Sequence, residues 1–369
     1  MSWIVCQIGA REHYAIPRAL LSNDHLAALI TDFWVPPSSL LSKVKRLGGR
    51  YHSDLSGEKV HAANLRMLAF ELGRPKGWEG IVARNALFQK SALRHLGNYE
   101  GSHTLFSYSY AALDLFRFAK SKGWKTVLGQ IDPGPVEERI VGEEHDRYPN
   151  HSSSWQPAPA SYWDQWREEI ELADRIIVNS PWSRDCLLQE NVPEQKIEIV
   201  PLAYTPPAPR PRPPRSEKLN VLFLGQINLR KGIGRLLEAM ELLKEEPIHL
   251  TLAGPTEVQI PEAKNITHLG PLARSEVHDV YAEADLFILP TLSDGFALTQ
   301  LEAAALGVPL LVSKHCGDVV RAGENGWVLD DLEPETIAAA LRKAHDELPL
   351  SASKFRDEFT VATLAQALS

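Results

Sequence analysis

The chain has 369 residues, a net charge of −8 and 44% hydrophobic residues, which is ordinary for a globular protein and enough for two hydrophobic cores. No apolar run reaches the roughly 18 residues of a membrane span, and the first residues, MSWIVCQIGARE, lack a signal-peptide pattern, so a transmembrane or secreted protein is not expected. Three cysteines without CxxC or metal-ligand spacing predict buried thiols in a cytoplasmic protein, and we expect no nucleic-acid partner.

The charge is unevenly distributed along the chain. Residues 1–120 carry 15 Lys+Arg and 9 Asp+Glu, a net +6, and the remaining 249 residues carry 24 and 38, a net −14. A basic first part favours an anionic acceptor or a peripheral membrane contact, and chance imbalance is the alternative. Within it, SSLLSKVKRLGGR (38–50) predicts a short basic amphipathic helix that lies on a membrane or packs on its own domain.

The first half of the chain alternates predicted strands and helices. This rhythm predicts a parallel sheet with crossover helices. The acidic, Gly/Pro-containing segment 131–149 is predicted to be a loop that covers a cleft. In chain order the elements are strand WIVCQIG, helix HYAIPRALLS, strand HTLFSY, helix ALDLFRFAKSKG, strand KTVLGQI, helix DQWREEIELA and strand RIIVNS.

A proline-rich segment divides the chain. PLAYTPPAPRPRPP (201–214) has seven prolines in fourteen positions, which excludes a central strand or a helix interior and favours an extended linker. We therefore predict a first domain over 1–203, a linker over 204–216 and a second domain over 217–349. The tail, about 350–369, is predicted to pack back on the first domain.

The strand–helix rhythm restarts after the linker. LNVLFLG is a predicted buried strand, and the helix after it carries an apolar face at helical spacing. Further strands HLTLAG, NITHLG, DLFILPT and VPLLVS alternate with helices VHDVYAEA and TQLEAAALG. The pattern predicts a second doubly wound α/β domain, and a ligand site is expected in the cleft between the two domains.

The segment LSDGFALTQLEAAALGVPLLVS (292–313) combines two carboxylates with a helix start. Asp294 precedes the helix and Glu302 lies inside it, and carboxylates suit sugar hydroxyls. Backbone N–H groups at a helix start form an anion site. Those predicted to bind a diphosphate belong to Gly295, Phe296, Ala297, Leu298 and Thr299. The alternative is that Asp294 caps the helix and Glu302 lies on the surface.

This segment resembles the E-x7-E region of the family 4 glycosyltransferases, which are retaining enzymes of the GT-B fold. The matching residues are Ser293-Asp294-Gly295-Phe296-Ala297, Leu301-Glu302-Ala303 and Gly307-Val308-Pro309. Asp294 stands where the family has Glu, and Ala297 where it has Gly. The shorter acid keeps the charge, and Ala keeps its N–H group.

A second block, FLGQINLRKG (223–232), resembles the family's phosphate-binding loop. Gly225 and Lys231-Gly232 match, but Gln226 stands where the family has a phosphate-binding Arg. Arg230 is our candidate for the missing cation. The alternative is a basic helix start on the surface, which the positive end of a helix disfavours.

The resemblance covers about 170–345, and the first 130 residues match only in rhythm. It implies that the main chain at Leu269 and Gly270 meets the nucleobase. In the first half, Gly9, Arg11 and His13 lie where the family has a glycine-rich loop, and they are candidates for acceptor binding. An ordinary strand-to-helix turn is the alternative.

Many family members also have a His after the strand that corresponds to KTVLGQI. This chain has Gln130 and Asp132 there, and we expect one of them to take its place. His103 is predicted to be structural. Tyr162, Trp163 and Trp166 are predicted to form a hydrophobic stripe rather than a sugar platform.

These observations predict an α/β protein of the GT-B fold with two Rossmann-like domains. The resemblance implies a retaining hexosyltransferase (EC 2.4) that uses a nucleotide-diphospho-sugar, with UDP or GDP favoured. No metal or cofactor is expected, because Lys231, Arg230 and helix N–H groups can neutralise a diphosphate. The alternatives are a GT-B sugar-nucleotide epimerase and a nucleotide-sugar-binding scaffold without activity.

Overall fold

The strands of the protein form two parallel sheets. A computed structural model describes residues 2–44, 47–151, 155–206, 216–273, 275–350 and 356–368. Within them, the first sheet contains β1 Trp3–Gln7, β2 Leu26–Thr31, β3 Val60–Ala62, β4 Thr104–Tyr108, β5 Lys125–Gly129, β6 Arg175–Val178 and β7 Ile197–Ile199. The second contains β8 Leu219–Leu224, β9 Ile248–Ala253, β10 Ile266–Gly270, β11 Leu286–Leu289, β12 Leu310–Ser313 and β13 Gly326–Leu329.

The α-helices of the described residues lie mostly between consecutive strands. In the first half they are α1 Ala15–Ser22, α2 Asn64–Leu72, α3 Gly77–Leu96, α4 Leu113–Ser121, α5 Pro135–Arg147, α6 Ala160–Leu172 and α7 Pro181–Gln189. In the second half they are α8 Ile233–Leu242, α9 Val277–Glu283, α10 Leu298–Ala305, α11 Pro334–Glu347 and α12 Val361–Ala367. None of them is long and apolar enough to span a membrane.

Both sheets have the strand order of doubly wound folds. The first runs β3-β2-β1-β4-β5-β6-β7 and the second β10-β9-β8-β11-β12-β13, with parallel neighbours throughout. The order in which successive strands are added reverses beside β1 and beside β8, and ligands bind at such switch points. The α/β prediction is confirmed. The loops after β8 and β11 lie side by side at the second switch point.

Apolar sequence explains why the sheets are covered on both faces. In β1, Ile4 and Cys6 pack into one buried cluster, and Trp3 and Val5 pack into another. Parallel strands buried on both faces need such continuous apolar runs. The helix after β8 buries the apolar face that its spacing predicts, and the side chains that form it are Ile233, Leu236, Leu237, Met240 and Leu243. All three cysteines are buried free thiols, as predicted.

The end of the described chain lies against its beginning. Leu364 and Leu368 belong to the same buried cluster as Ile16 of α1. Asn23 Nδ2 also donates to the Ala365 carbonyl at 2.9 Å. The linker prediction falls largely on 207–215, outside the described residues, and the domain boundaries stay a prediction.

The segment predicted as a covering loop is a helix instead. Pro135 occupies the first turn of α5 and Glu137 follows it, both of which favour a helix start. Tyr148 at the end of α5 is buried in the hydrophobic cluster of the second sheet. Arg235 of α8 binds Glu144 through two nitrogens, at 2.9 and 2.7 Å. Helix α5 therefore joins the two halves, and the loop prediction is wrong.

The predicted amphipathic helix over 38–50 is also wrong in the described part of that segment. Leu40–Lys43 forms a short 3-10 helix instead. Leu40 is 85% exposed, whereas Leu47 is buried with Phe33 and Met67. The apolar residues therefore do not share one face, because prolines before the segment and a Gly-Gly pair near its end favour turns over a continuous helix.

The ion pair between α5 and α8 generates the first prediction. The Glu144 side chain is 2% exposed, so its replacement leaves Arg235 without a buried partner. We expect Glu144→Ala to lower the free energy of unfolding by about 2–3 kcal/mol, since Glu333 still pairs with Arg235. Urea denaturation would measure the change. Exposed Glu143→Ala, on the same helix, should change stability by less than about 0.5 kcal/mol, and equal effects would contradict the prediction.

Candidate functional site

The loop after β8 places two cations at the switch point. Asn228 accepts a hydrogen bond from the Lys231 N–H at 3.2 Å and so begins a 3-10 turn over Leu229–Lys231. Gly232 ends the turn with φ +71°, and a Cβ there would lie 2.0 Å from the Pro290 carbonyl oxygen. Only glycine allows this approach to the chain after β11. Arg230 and Lys231 therefore lie against the segment that carries Asp294.

Asp294 is the partner of both cations. Lys231 Nζ donates directly to Asp294 Oδ2, and Arg230 Nη1 lies 3.8 Å from Oδ1. Arg230 also donates to the Ser293 carbonyl at 3.2 Å. Burial alone would raise the pKa of Asp294, but Lys231 and Arg230 hold it below its usual value. The site thus combines two positive charges with one carboxylate.

Only part of the predicted group of backbone N–H donors is available. Helix α10 begins at Leu298, not at Phe296. The Ala297 N–H donates to the Cys316 carbonyl at 3.0 Å, and its contact with a phosphate stays a prediction. The Phe296 side chain is 7% exposed and packs on Phe359. The first-turn N–H groups of Leu298 and Thr299 have no intrahelical acceptor.

Gly295 belongs to the contact between the two halves. A Cβ at this position would lie 2.3 Å from the Ile131 carbonyl oxygen, which follows β5 of the first sheet. The Ser183 hydroxyl donates to the Gly295 carbonyl at 3.3 Å, and Trp182 Nε1 donates to Ser293 Oγ at 3.1 Å. The segment 293–295 is therefore held from both sides.

Glu302 lies inside α10, as predicted, and has a defined partner. The Tyr281 hydroxyl lies 3.1 Å from Glu302 Oε2 and 3.0 Å from the Thr299 carbonyl oxygen. Tyr281 itself is fully buried. Its hydroxyl therefore orients the carboxylate at the start of α10.

The expected phosphate-binding Arg has no direct substitute at its own position. Gln226 Nε2 donates to Glu257 Oε1 at 2.8 Å, and Asn228 Nδ2 lies 3.4 Å from the second oxygen. Arg230, whose side chain is 27% exposed, is the second cation beside Lys231. That it replaces the missing Arg stays a proposal.

Glycines permit close backbone packing beside the predicted base loop. Gly254 N–H donates to the Gly270 carbonyl at 2.9 Å, and a Cβ on Gly254 would meet the Gly225 carbonyl oxygen at 1.8 Å. Leu269 is 45% exposed next to them. This places Gly225 at the same sheet edge as Leu269 and Gly270, and their contact with a nucleobase stays a prediction.

The candidates at the start of the chain lie at the edge of the first sheet. Gly9 has φ +87°, and its N–H donates to buried Asp32 at 2.8 Å. The Arg11 guanidinium lies 5.3 Å from the centre of the Tyr108 ring and lines a cavity of about 180 Å³. His13 has a left-handed φ of +52°, so this turn is strained rather than ordinary.

Gln130 and Asp132 form one hydrogen-bond network. Gln130 is 1% exposed, accepts from Trp166 Nε1 at 3.0 Å and donates to the Asp132 carbonyl at 3.0 Å. Both ends of its amide are used inside the protein, and its contact with a ligand stays a prediction. Asp132 accepts from the Tyr110 hydroxyl and from the Gly134 N–H, and it lines the cleft.

Glu137 is a residue of this site that the sequence motifs did not indicate. It lies in the first turn of α5, with Oε1 3.6 Å from Arg230 Nη1, and so faces Arg230 across the cleft. Burial raises the pKa of Glu137 to about 8, and Arg230 opposes the rise. The sequence feature that could have indicated Glu137 is the Gly-Pro pair at 134–135, which predicts a helix start with Glu137 in its first turn.

Comparison with known proteins identifies the second half of the chain. Residues 218–347 match the family model described as glycosyl transferases group 1. This part of the chain is therefore similar to the group 1 glycosyl transferases. The sequence resemblance to family 4 is confirmed, and Lys231, Asp294 and Glu302 all lie within the matched glycosyltransferase region.

Relatives of known name cover part of the chain. The D-inositol 3-phosphate glycosyltransferase of Paenarthrobacter aurescens is 25% identical over 224 residues, which are 53% of this chain and 55% of that protein. The chain thus matches about half the length of such a curated relative.

Solved structures share the fold over the whole chain. Sucrose-phosphate synthase of Thermosynechococcus elongatus has a TM-score of 0.68 at 16% identity, covering 100% of this chain and 95% of that one. Anabaena Alr3699/HepE in complex with UDP and glucose has a TM-score of 0.59 at 14% identity, covering 100% and 95%. The chain has the GT-B fold, as predicted.

The buried position of Glu137 generates the second prediction. A carboxyl group with a raised pKa keeps its proton in the folded state while the unfolded chain ionises near about pH 4.3, so the folded state loses stability as pH rises toward 8. Asp132, Asp294 and Arg230 face the group. We expect wild type to lose roughly 2–4 kcal/mol between pH 5 and 8 relative to Glu137→Gln.

Urea denaturation at several pH values would measure this difference. Glu138→Gln is the matched control, because Glu138 is the next residue of the same helix and also lines the cleft. Parallel stability curves for wild type and Glu137→Gln would show that Glu137 ionises normally.

Proposed function

We propose that the protein transfers a glycosyl group from a nucleotide-diphospho-sugar to an acceptor hydroxyl. The observation that carries the proposal is the convergence of Lys231 and Arg230 on Asp294 at the start of α10, inside the region that matches the group 1 glycosyl transferases. Two cations beside helix N–H groups suit a diphosphate. The UDP in the Anabaena structure supports a nucleotide-sugar donor.

The diphosphate of the donor would lie between the two cations and the first turn of α10. Its negative charge would compete with Asp294 for Lys231, which frees the carboxylate to accept hydrogen bonds from the sugar hydroxyls. Glu302, oriented by Tyr281, would bind hydroxyls at the other end of the donor. We favour UDP or GDP as the nucleotide.

The reaction exchanges one C–O bond for another. The bond between the anomeric carbon and the β-phosphate oxygen breaks, and its electron pair stays on the diphosphate, which Lys231 and Arg230 stabilise. The acceptor oxygen bonds to the same face of the sugar, so configuration is retained. Its proton passes to the departing phosphate oxygen. This scheme requires no metal ion and no protein nucleophile.

The wider assignments are part of the same proposal. We infer an acceptor site at the carboxyl ends of the first sheet, near Arg11, and a cytoplasmic protein. Peripheral contact between the basic first 120 residues and an anionic membrane stays a prediction that rests on charge alone. The relatives named above carry transferase or synthase names, so neither the epimerase nor the inactive scaffold is favoured.

Lys231 generates the third prediction. Lys231→Ala removes the cation that stabilises the leaving diphosphate, so turnover should fall by about 100-fold or more. A panel of UDP-, GDP- and ADP-sugars, tested by thermal shift and by release of nucleotide, would identify the donor. Lys244→Ala, on an exposed lysine of the same region, should behave like wild type. Unchanged donor binding and turnover in Lys231→Ala would contradict the site.

Glu302 generates the fourth prediction. Glu302→Ala should weaken donor binding and lower turnover by at least about tenfold, because a charge-assisted hydrogen bond to the donor is lost. Tyr281→Phe keeps the carboxylate and loses only its orienting hydroxyl, so it should have a smaller effect. An equal or larger loss in Tyr281→Phe would assign Glu302 a structural role. Incubation of the donor alone would reveal an isomerised sugar if the protein were an epimerase.

A further inference from the structure

A cavity of about 470 Å³ extends from the donor cations into the cleft between the two halves. Arg230 lies at one end, and the loop residues Gln226 and Asn228 form the wall from the second half. The opposite wall belongs to α3, α5, α6 and the residues after β4. A volume of this size is typical of small-molecule sites.

Aromatic rings form the wall of the first half. Tyr110 and Tyr162 stack with centres 4.8 Å apart and planes at 20°, and Trp78 lies 4.9 Å from Tyr162. Trp163 meets Tyr162 edge to face at 5.3 Å. These rings come from separate segments of the chain, yet they meet at one surface. The cavity therefore has a continuous apolar side.

The predicted hydrophobic stripe divides into two parts. Trp166 is 1% exposed and belongs to the hydrophobic core, as that prediction states. Trp163, three residues earlier, is partly exposed and lines the cavity. Its indole N–H donates to Glu138 at 2.8 Å, which holds the ring in place. The core interpretation is correct for Trp166 and incomplete for Trp163.

Hydrogen-bonding groups surround the aromatic wall. Glu137 Oε2 is buried and has no hydrogen-bond partner among the described residues. Asp132, Glu138 and Glu257 also line the cavity. A buried polar atom without a partner is costly unless a ligand or water satisfies it.

The charge of the lining disfavours an anionic occupant. Four carboxyl side chains line the cavity, and Arg230 is the permanent cation among the lining residues that the structure describes. His145 does not add a charge, because burial lowers its pKa. Glu137 keeps its proton up to about pH 8, but a phosphate or carboxylate in the cavity would still meet the three other carboxyl groups, whereas a neutral polyol would not be repelled.

We propose that this cavity is the acceptor subsite and that it binds a neutral saccharide. One C–H face of a sugar ring packs on Trp78 and Tyr162, and its hydroxyl groups bond to the carboxyl groups at the rim. Glu137 lies closest to Arg230, where the reacting hydroxyl meets the donor. The inference rests on the proposed function and deepens it, because it names neutral glycans as the acceptor class.

The test compares two tryptophan variants of the full-length protein. Trp78 lines the cavity, is partly exposed and donates one indole hydrogen bond, to the Gln156 carbonyl at 2.9 Å. Trp327 lies on β13 outside the cavity, is likewise partly exposed and donates one indole hydrogen bond, to Glu347 at 3.1 Å. Trp78→Ala and Trp327→Ala thus form a matched pair.

The probes are neutral di- and trisaccharides of glucose, galactose and mannose, with glucose 6-phosphate and mannose 6-phosphate as anionic counterparts. Saturation-transfer NMR and titration would measure their binding. We expect at least one neutral saccharide to bind wild type, and Trp78→Ala to weaken it about tenfold or more, with Trp327→Ala unchanged. Trp78→Phe, which keeps a ring face, should retain most of the affinity.

Three outcomes would overturn the proposal. They are tighter binding of the sugar phosphates than of every neutral saccharide, binding that Trp78→Ala leaves unchanged, and no saccharide binding to wild type in the presence of UDP. If Trp78→Ala fails to fold, Trp155→Ala replaces it, since Trp155 lines the same cavity and stacks on His145.

Donor binding is measured separately, so the two proposals can fail independently. Trp78→Ala should bind the nucleotide-sugar as wild type does, because Trp78 has no place in the donor site. Lys231→Ala should lose the donor and still bind the neutral saccharide. Saccharide binding without any donor binding would refute the proposed transferase function but not the proposed subsite. Donor binding without any saccharide binding would refute only the proposed subsite.

Discussion

The charge balance around Lys231 is the constraint on which the rest of the site depends. Two cations at the end of a buried parallel strand need a negative partner, because an unpaired charge in low dielectric is costly. Asp294 provides it in the free protein, and Glu137 adds a contact to Arg230 from the other half. A diphosphate would compete with these internal partners for the same two cations. The positions of Lys231 and Arg230 therefore suit an anion.

Helix α5 links this charge balance to the contact between the two halves. The helix is joined to the second half by the Glu144–Arg235 ion pair and by Tyr148, and its first turn carries Glu137 to the donor cations. The same helix lines the aromatic cavity. A change in how α5 packs on α8 would thus alter the donor site and the proposed acceptor subsite together. The contacts that join α5 to the second half lie near its C-terminal end, and the contact with Arg230 lies in its first turn.

Much of the fold was predictable, and the site less so. Continuous apolar runs and helical spacing predict strands such as β8 and helices such as α8, because burial decides these elements locally. The motif around Asp294 was predictable too, because its residues are contiguous in the sequence between a buried strand and a helix. The predictions for 38–50 and 131–149 were wrong, because proline and glycine there favour turns and helix starts that the spacing of apolar residues does not reveal. Glu137 and the aromatic wall depend on contacts between distant segments, which spacing along the chain does not reveal.

Two departures from the family pattern, Gln226 in place of Arg and Asp294 in place of Glu, concern the same charged group of residues. Gln226 lacks the expected positive charge, and it holds Glu257 instead of a phosphate. Arg230, four residues further along the same loop, is the proposed source of that charge, because it donates to the Ser293 carbonyl and faces Asp294. A shorter acid at 294 suits this arrangement, because the cations already lie against its carboxylate. With Arg230 in that role, the site would carry the charge that a diphosphate requires, and the absence of an Arg at 226 would no longer favour the scaffold alternative.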